Sequence, residues 1–274
     1  MKKTKSLLCL FAAVLLLLSG CRALNADEEV LKFKKVDSGW ALYRYTGSTQ
    51  KTSFTVPDEH EGEKVVEIMD FAIANVDAEY LETIFIGENI QKIGDWGINN
   101  CVKLQKIEAT LGNPTFASKD GILYSKDMTT LLAYPNEHKD ASGAYAFVLP
   151  ESVTKIANNA FYQCKNLESI TFNEGLREIG DKAFIKCEKL QSFTLPQTLT
   201  HIGTDAFSYC DSLEALTLPA NIQSIGDYAF FSLSSGIKTI VVQRASLDGI
   251  TVGKDWIPTL QDSANKKAEI SYQP

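Results

Sequence analysis

Between Val153 and Val242 the chain writes one pattern four times. Ile156, Ile179, Ile202 and Ile225 are spaced 23 residues apart, and Phe161, Phe184, Phe207 and Phe230 keep the same interval, with Ala160, Ala183, Ala206 and Ala229 one residue before each. Cys164, Cys187 and Cys210 form a third column, whose place Leu233 takes in the last copy. A fixed period in the range of about 20 to 50 residues marks a solenoid, because one such unit cannot bury its apolar face alone and stacks on its neighbours.

One copy, Leu176 to Pro196, reads LREIGDKAFIKCEKLQSFTLP. Ala183, Phe184 and Cys187 fall at i, i+1 and i+4, which predicts a short helical turn, while Phe193 and Leu195 alternate as in a short strand. Gly180, Gly203 and Gly226 each follow the core Ile, where a residue without Cβ lets the chain turn tightly. Pro196 and Pro219 close their strands, since proline cannot donate to a ladder. Stacked at the spacing of neighbouring strands, about 4.8 Å, the columns fill one continuous core. Its expected members are Ile156, Phe161, Cys164, Ile179, Phe184, Cys187, Ile202, Phe207, Cys210, Ile225 and Phe230.

The pattern I-G-D-x-A-F-x-x-C-x-x-L, here IGDKAFIKCEKL, resembles the BspA-like class of leucine-rich repeats of bacterial cell-surface proteins, over about Val65 to Val242. The resemblance implies an α/β repeat solenoid. Its right-handed coil of 23-residue repeats would carry short parallel strands on the concave face and short helical segments opposite. It also implies display outside the cell and use in binding, often adhesion to host proteins.

At the N-terminus Lys2, Lys3 and Lys5 precede an apolar run of 12 residues, Leu7 to Leu18. That is too short for a bilayer core needing roughly 20, so residues 1–20 read as a secretory signal. Leu18, Ser19, Gly20 and Cys21 resemble the lipobox of bacterial lipoproteins, which implies cleavage before Cys21 and acylation of its thiol; two or more acyl chains anchor a protein stably without spanning. Removal of the signal takes three Lys with it and moves the formal charge from -7 to -10, a poor match to nucleic-acid backbones. Residues 21–30 read as a tether. Within it Asn25 to Glu29, NADEE, resembles an acidic surface-export signal of some anaerobic Gram-negative bacteria; a plain solvated tether is the alternative.

Residues 31–64 hold three alternating apolar runs, expected to form a β-rich cap, with Trp40, Tyr43 and Tyr45 as packing or as a binding platform. The solenoid is expected over 65–242, with looser coils first: Ile93, Ile98 and Cys101 keep the offsets of Ile156, Phe161 and Cys164. The interval from Ile93 to Ile156 is no multiple of 23, so an inserted segment must lie at about 113–150. Within it Asn113 to Pro135 reads as a hairpin turning at Ser125 to Asp127, protruding from the solenoid or widening it. Residues 243–274 would cap the last coil.

Catalytic and metal constellations are missing: His60, His138 and His201 stand in different segments, and no phosphate loop, G-x-S-x-G or H-E-x-x-H occurs. No enzyme activity, cofactor or metal is expected. The Cys column reads as small buried hydrophobes, with a disulfide or metal ladder as the alternative. Residues between core positions on the strands point outward, so the candidate binding face comprises Phe85, Glu108, Ser169, Thr171, Ser192, Thr194 and Thr217. Tyr162, Ile185 and Phe231 are expected to form an apolar stripe on another face. The function that results is a lipid-anchored module on the outer membrane of a Gram-negative bacterium, binding a protein without catalysis. The alternatives are a glycan-binding lipoprotein of nutrient uptake, whose Phe85, Trp40 and Trp256 would have to share one groove, and a structural envelope component.

Overall fold

The structure, a computed structural model, describes residues 30–47, 51–73, 80–99, 101–232, 237–257 and 268–273. The lipobox at Cys21, the acidic stretch from Asn25 to Glu29, and Leu233 lie outside these residues. All regular structure among the described residues is β.

Two parallel ladders run along the molecule. In the first, the strands Lys155–Ile156, Glu178–Ile179, His201–Ile202, Ser224–Ile225 and Thr251–Val252 pair so that each core Ile sits on the next, and Ile225 on Val252. Leu42, Ile68 and Ile93 form a like column in a separate sheet toward the N-terminus. The second ladder carries Ser53–Thr55, Thr83–Ile86 and Lys106–Ala109, then Ala146–Val148 and Ser169–Thr171, then Ala215–Leu218, Thr239–Val242 and Glu269–Tyr272. Between the ladders the Phe rings pile up. Phe161 and Phe184 stack at 4.5 Å, Phe184 and Phe207 at 5.0 Å, and Phe207 and Phe230 at 5.7 Å, all four buried.

The expected helical segments are absent from the described residues, and the backbone hydrogen bonds explain why. Lys182 and Lys186 adopt left-handed conformations, φ 55° and 61°, which turns alternate peptides along the solenoid axis. Lys182, Phe184 and Lys186 then donate their N–H groups to Thr204, Ala206 and Ser208 of the next coil at 2.7 to 2.8 Å, while Cys187 donates back three residues to Phe184. This edge therefore behaves as a third ladder built from turns. It satisfies every second donor between coils instead of within one. The spacing i, i+1, i+4 that suggests a helix also arises from two such turns in succession.

The residue two places after the core Ile completes the stack in three of the four copies. Asn158 Oδ1 accepts the N–H of Asp181, Asp181 Oδ1 that of Thr204, and Asp227 Oδ1 that of Lys254, at 2.6 to 2.9 Å. Ala157 precedes it in the first copy, and glycine in the next three because the coils touch there: a Cβ on Gly203 would lie 2.5 Å from Asp181 N. Close approach, and not a left-handed φ, is what that position requires.

Asn113 to Pro135 contains the expected hairpin about Ser125 to Asp127, but the hairpin does not protrude. Phe116–Lys119 and Ile122–Ser125 pair antiparallel, as do Ile122–Ser125 and Thr130–Ala133. The last strand does not protrude, since it runs parallel to Lys155–Ile156 with Leu131 on Ile156. Tyr134 takes the place of the core Phe, stacked on Phe161 at 4.7 Å. The antiparallel strands form a wall between two apolar cores: Ile122 and Tyr124 pack into the C-terminal core with Phe161, and Leu123 packs into the N-terminal one with Ile84 and Ile98. Side chains alternating across a strand make this possible.

Candidate binding face and clefts

The predicted binding residues lie on the second ladder, which is not continuous. Phe85, 39% exposed, stands opposite Glu108; Ser169 pairs with Ala146 and bridges to Ser192; Thr171 stands opposite Val148; Thr217 is half-buried opposite Val241. Thr194 is exposed outside any strand. The ladder breaks between Lys106–Ala109 and Ala146–Val148, and a cleft of about 1200 Å³ opens at the break. Glu108, Ser169 and Thr171 line it, whereas Phe85, Ser192, Thr194 and Thr217 do not.

The two walls differ. On one side the strand Phe116–Lys119 and the turn at Asp120 and Gly121 cover the strand edge, with Ile107 N–H donating to Gly121 O at 2.8 Å and Ala109 N–H to Ser118 Oγ at 3.0 Å. The Ser118 hydroxyl donates in turn to Glu108. On the other side the strand Ala146–Val148 pairs, among the described residues, only with Ser169–Thr171. Tyr145 O accepts from Glu168 N–H and Leu149 N–H donates to Thr171 O, so alternation turns the peptide groups of Ala146 and Val148 toward the cleft. Val148 is 71% exposed. Sequence reasoning missed this residue, because Ala146–Val148 lies inside the insertion, outside the repeat phase.

Four lysines, Lys103, Lys106, Lys119 and Lys139, and six carboxylates, Glu82, Glu108, Asp120, Glu137, Asp140 and Glu151, line the cleft, so its charge is mixed with an acidic excess. At its end Tyr145 donates to Glu137 at 2.6 Å, and that bond pushes its hydroxyl up to about 12. His138 packs edge-on against Tyr134 with Nδ1 3.3 Å from Gln105 O, and burial lowers its pKa. His60 stacks on Phe33, and His201 contacts Thr200.

A second cleft, of about 420 Å³, opens at the seam between the two cores, on the turn edge. Ile98, Phe116, Leu123 and Ala133 give it an apolar floor, and Asp95, Trp96, Asn99, Lys155, Asn158 and Asn159 line it beside them. Asn99 donates to Asn159 O at 2.7 Å. Trp96 is clamped between the stacked ring of Phe71 at 5.0 Å and the ammonium of Lys182 at 5.2 Å, with Tyr162 at its edge. Trp96 Nε1 and Asn159 Oδ1 are both buried and have no hydrogen-bond partner among the described residues.

Other aromatic expectations resolve differently. Trp40 packs against His60 in the first sheet, and Trp256 is buried on Phe230 in the last coil, so Phe85, Trp40 and Trp256 share no groove. Tyr45 is buried against Phe54, and Tyr43 is 42% exposed. The stripe of Tyr162, Ile185 and Phe231 is interrupted by buried Ser208, whose hydroxyl donates to Tyr228 O. Cys101, Cys164, Cys187 and Cys210 are free and buried. Cys187 and Cys210 direct their thiols at the carbonyls of Phe161 and Phe184 one coil back, 3.3 and 3.2 Å away. A thiol fits there because it is a small apolar group that also donates.

A BspA type leucine rich repeat region matches in six copies, over residues 43–124 and 139–251. Among solved structures, a leucine-rich repeat protein from Eubacterium ventriosum is 22% identical, with a TM-score of 0.52 over 73% of this chain and 62% of that one. The present chain thus spans less than two thirds of that protein's length. A leucine rich cell surface protein from Faecalibacterium prausnitzii is 16% identical over 87% of this chain and 96% of its own, with a TM-score of 0.49. The pneumococcal vaccine antigen PcpA is 18% identical over 82% and 83%, again at 0.49. At such identities the Eubacterium structure speaks for the solenoid fold alone. No curated protein matches the chain.

Proposed function

The chain belongs to the BspA-type leucine-rich repeat family, and from that premise we propose that it is a non-catalytic binding module for a protein, anchored through Cys21 and displayed on the surface of a Gram-negative cell. The observation that carries this reading is the break in the second ladder, where the strand Ala146–Val148 faces a cleft of about 1200 Å³ with one edge unpaired. An extended segment of a partner protein can add to such an edge, its backbone supplying affinity and its side chains reading the pockets beside it. Val148 offers apolar contact, and Ser169 and Thr171 offer hydroxyls on the neighbouring strand. The mixed charges of the rim favour register and orientation of the partner more than raw affinity.

Binding to immobilised host matrix proteins tests the reading. Val148→Lys and Thr171→Lys alter exposed side chains and should weaken capture without loss of fold; capture unchanged by both removes this face. For location, added trypsin should digest the chain on intact cells. Resistance that disappears on lysis would place it on the periplasmic side and overturn surface display.

A further inference from the structure

We propose that the seam cleft is a second binding site, which takes one neutral, hydroxyl-bearing ring such as the terminal sugar of a glycan. Its volume, about 420 Å³, lies in the range of small-molecule sites, and its make-up is theirs too: an apolar floor with a few polar groups beside it. Two of those groups specify the ligand's chemistry. Asn159 is 4% exposed, yet its Oδ1 has no donor; Trp96 Nε1–H is buried and has no acceptor. Buried polar atoms are almost always paired in native proteins, so a missing donor and a missing acceptor in one cleft point to something that supplies both. A hydroxyl does, since it donates one hydrogen and accepts through its lone pairs. A carboxylate or phosphate would accept from Trp96 but leave Asn159 Oδ1 without a donor, and an ammonium would donate to Asn159 but leave Trp96 without an acceptor.

The surroundings agree with a neutral ligand. Of the two charged residues lining the cleft, Lys155 is already paired with Glu178 at 2.8 Å. Phe71 on one face of Trp96 and Lys182 over the ring keep the indole from turning its N–H out to water. Phe71 itself is 55% exposed and continues the apolar surface outward from Trp96. The site is separate from the strand-side cleft and does not depend on what that cleft binds.

The indole N–H resonances of Trp40, Trp96 and Trp256 provide the test, in an amide nitrogen–proton correlation spectrum of the soluble chain titrated with glucose, galactose and N-acetylglucosamine. Concentrations up to about 50 mM fill a millimolar site. A saturable downfield shift of the Trp96 indole, with Trp40 and Trp256 unmoved, is the expected result for at least one sugar. Asn159→Gly keeps the left-handed φ of 59° accessible and removes the acceptor; it should weaken that sugar about tenfold, as the loss of one hydrogen bond would. Trp96→Phe should do the same by calorimetry. Val148→Lys should leave sugar binding unchanged, which separates this site from the protein-binding face. If no sugar moves Trp96, or Asn159→Gly binds as the parent does, the cleft holds trapped water only and the proposal is overturned.

Discussion

Replacing Gly203 by alanine tests the stacking of the coils most directly. The new methyl carbon would lie 2.5 Å from Asp181 N and 2.6 Å from the carbonyl carbon of Gly180, both main-chain atoms that cannot swing aside. Ordinary contact begins at 3.4 Å, so the coil must lift by about 0.9 Å, about a fifth of the usual strand spacing of about 4.8 Å. Two bonds lie along that lift: Gly203 N–H to Ile179 O at 2.8 Å and Thr204 N–H to Asp181 Oδ1 at 2.7 Å. Stretched by that amount, both pass the limit of about 3.2 Å for a useful hydrogen bond. Each is worth about 1 kcal/mol, and overpacking adds about 1 to 3 kcal/mol, so Gly203→Ala should cost about 3 to 5 kcal/mol. Urea unfolding at equilibrium measures it. A loss below about 1 kcal/mol would mean that the two coils are not in contact at this edge, and the close-approach argument would fall for Gly180 and Gly226 as well.

Thr204 holds the place that Asn158, Asp181 and Asp227 hold in other coils, so Thr204→Asn should accept the N–H of Asp227 and stabilise by about 0.5 to 1 kcal/mol, read as a higher Tm. Asn is preferred to Asp because Asp181 and Asp227 already stand on either side. Phe184→Ala removes a ring stacked on both sides and should cost about 3 to 5 kcal/mol; Phe230→Ala, with a single stacked neighbour at 5.7 Å, should cost less in the same urea assay. Burial pushes the Cys101 thiol from 9.0 up to about 12 and raises Cys164, Cys187 and Cys210 as well. The folded state thus holds protons that the unfolded chain releases above 9.0, so stability is full below pH 9 and declines as pH rises from there toward 12. The slope should approach about 1.4 kcal/mol per pH unit for each thiol, and a flat stability between pH 8 and about 10.5 would refute it.

The regular part of the molecule was open to inspection in the chain itself, because Ile and Phe recur with one period and each coil solves the same packing problem. The turn edge was not. Helical and left-handed turns place Ala183, Phe184 and Cys187 on one face alike, and only the direction of the N–H groups tells them apart. The coil at Leu131 escaped because Tyr134 replaces the core Phe and no I-G-D precedes it. Of the predicted face, Glu108, Ser169 and Thr171 meet in one cleft; its remaining wall, around Val148, belongs to the insertion and follows no repeat. Trp96 stands in the motif I-G-D-W-G, where other coils carry a lysine or a tyrosine after the Asp; an aromatic at that variable point was the one available signal.

The wall formed by Ile122, Leu123 and Tyr124 has two masters. Elsewhere in a solenoid, damage to one coil is felt by its immediate neighbours and fades. Here a single three-residue stretch is wetted on neither side, so loosening it uncovers oil in both directions at once. The protein's two stacks are in effect soldered at this joint, and a lesion there should melt them together instead of fraying one end.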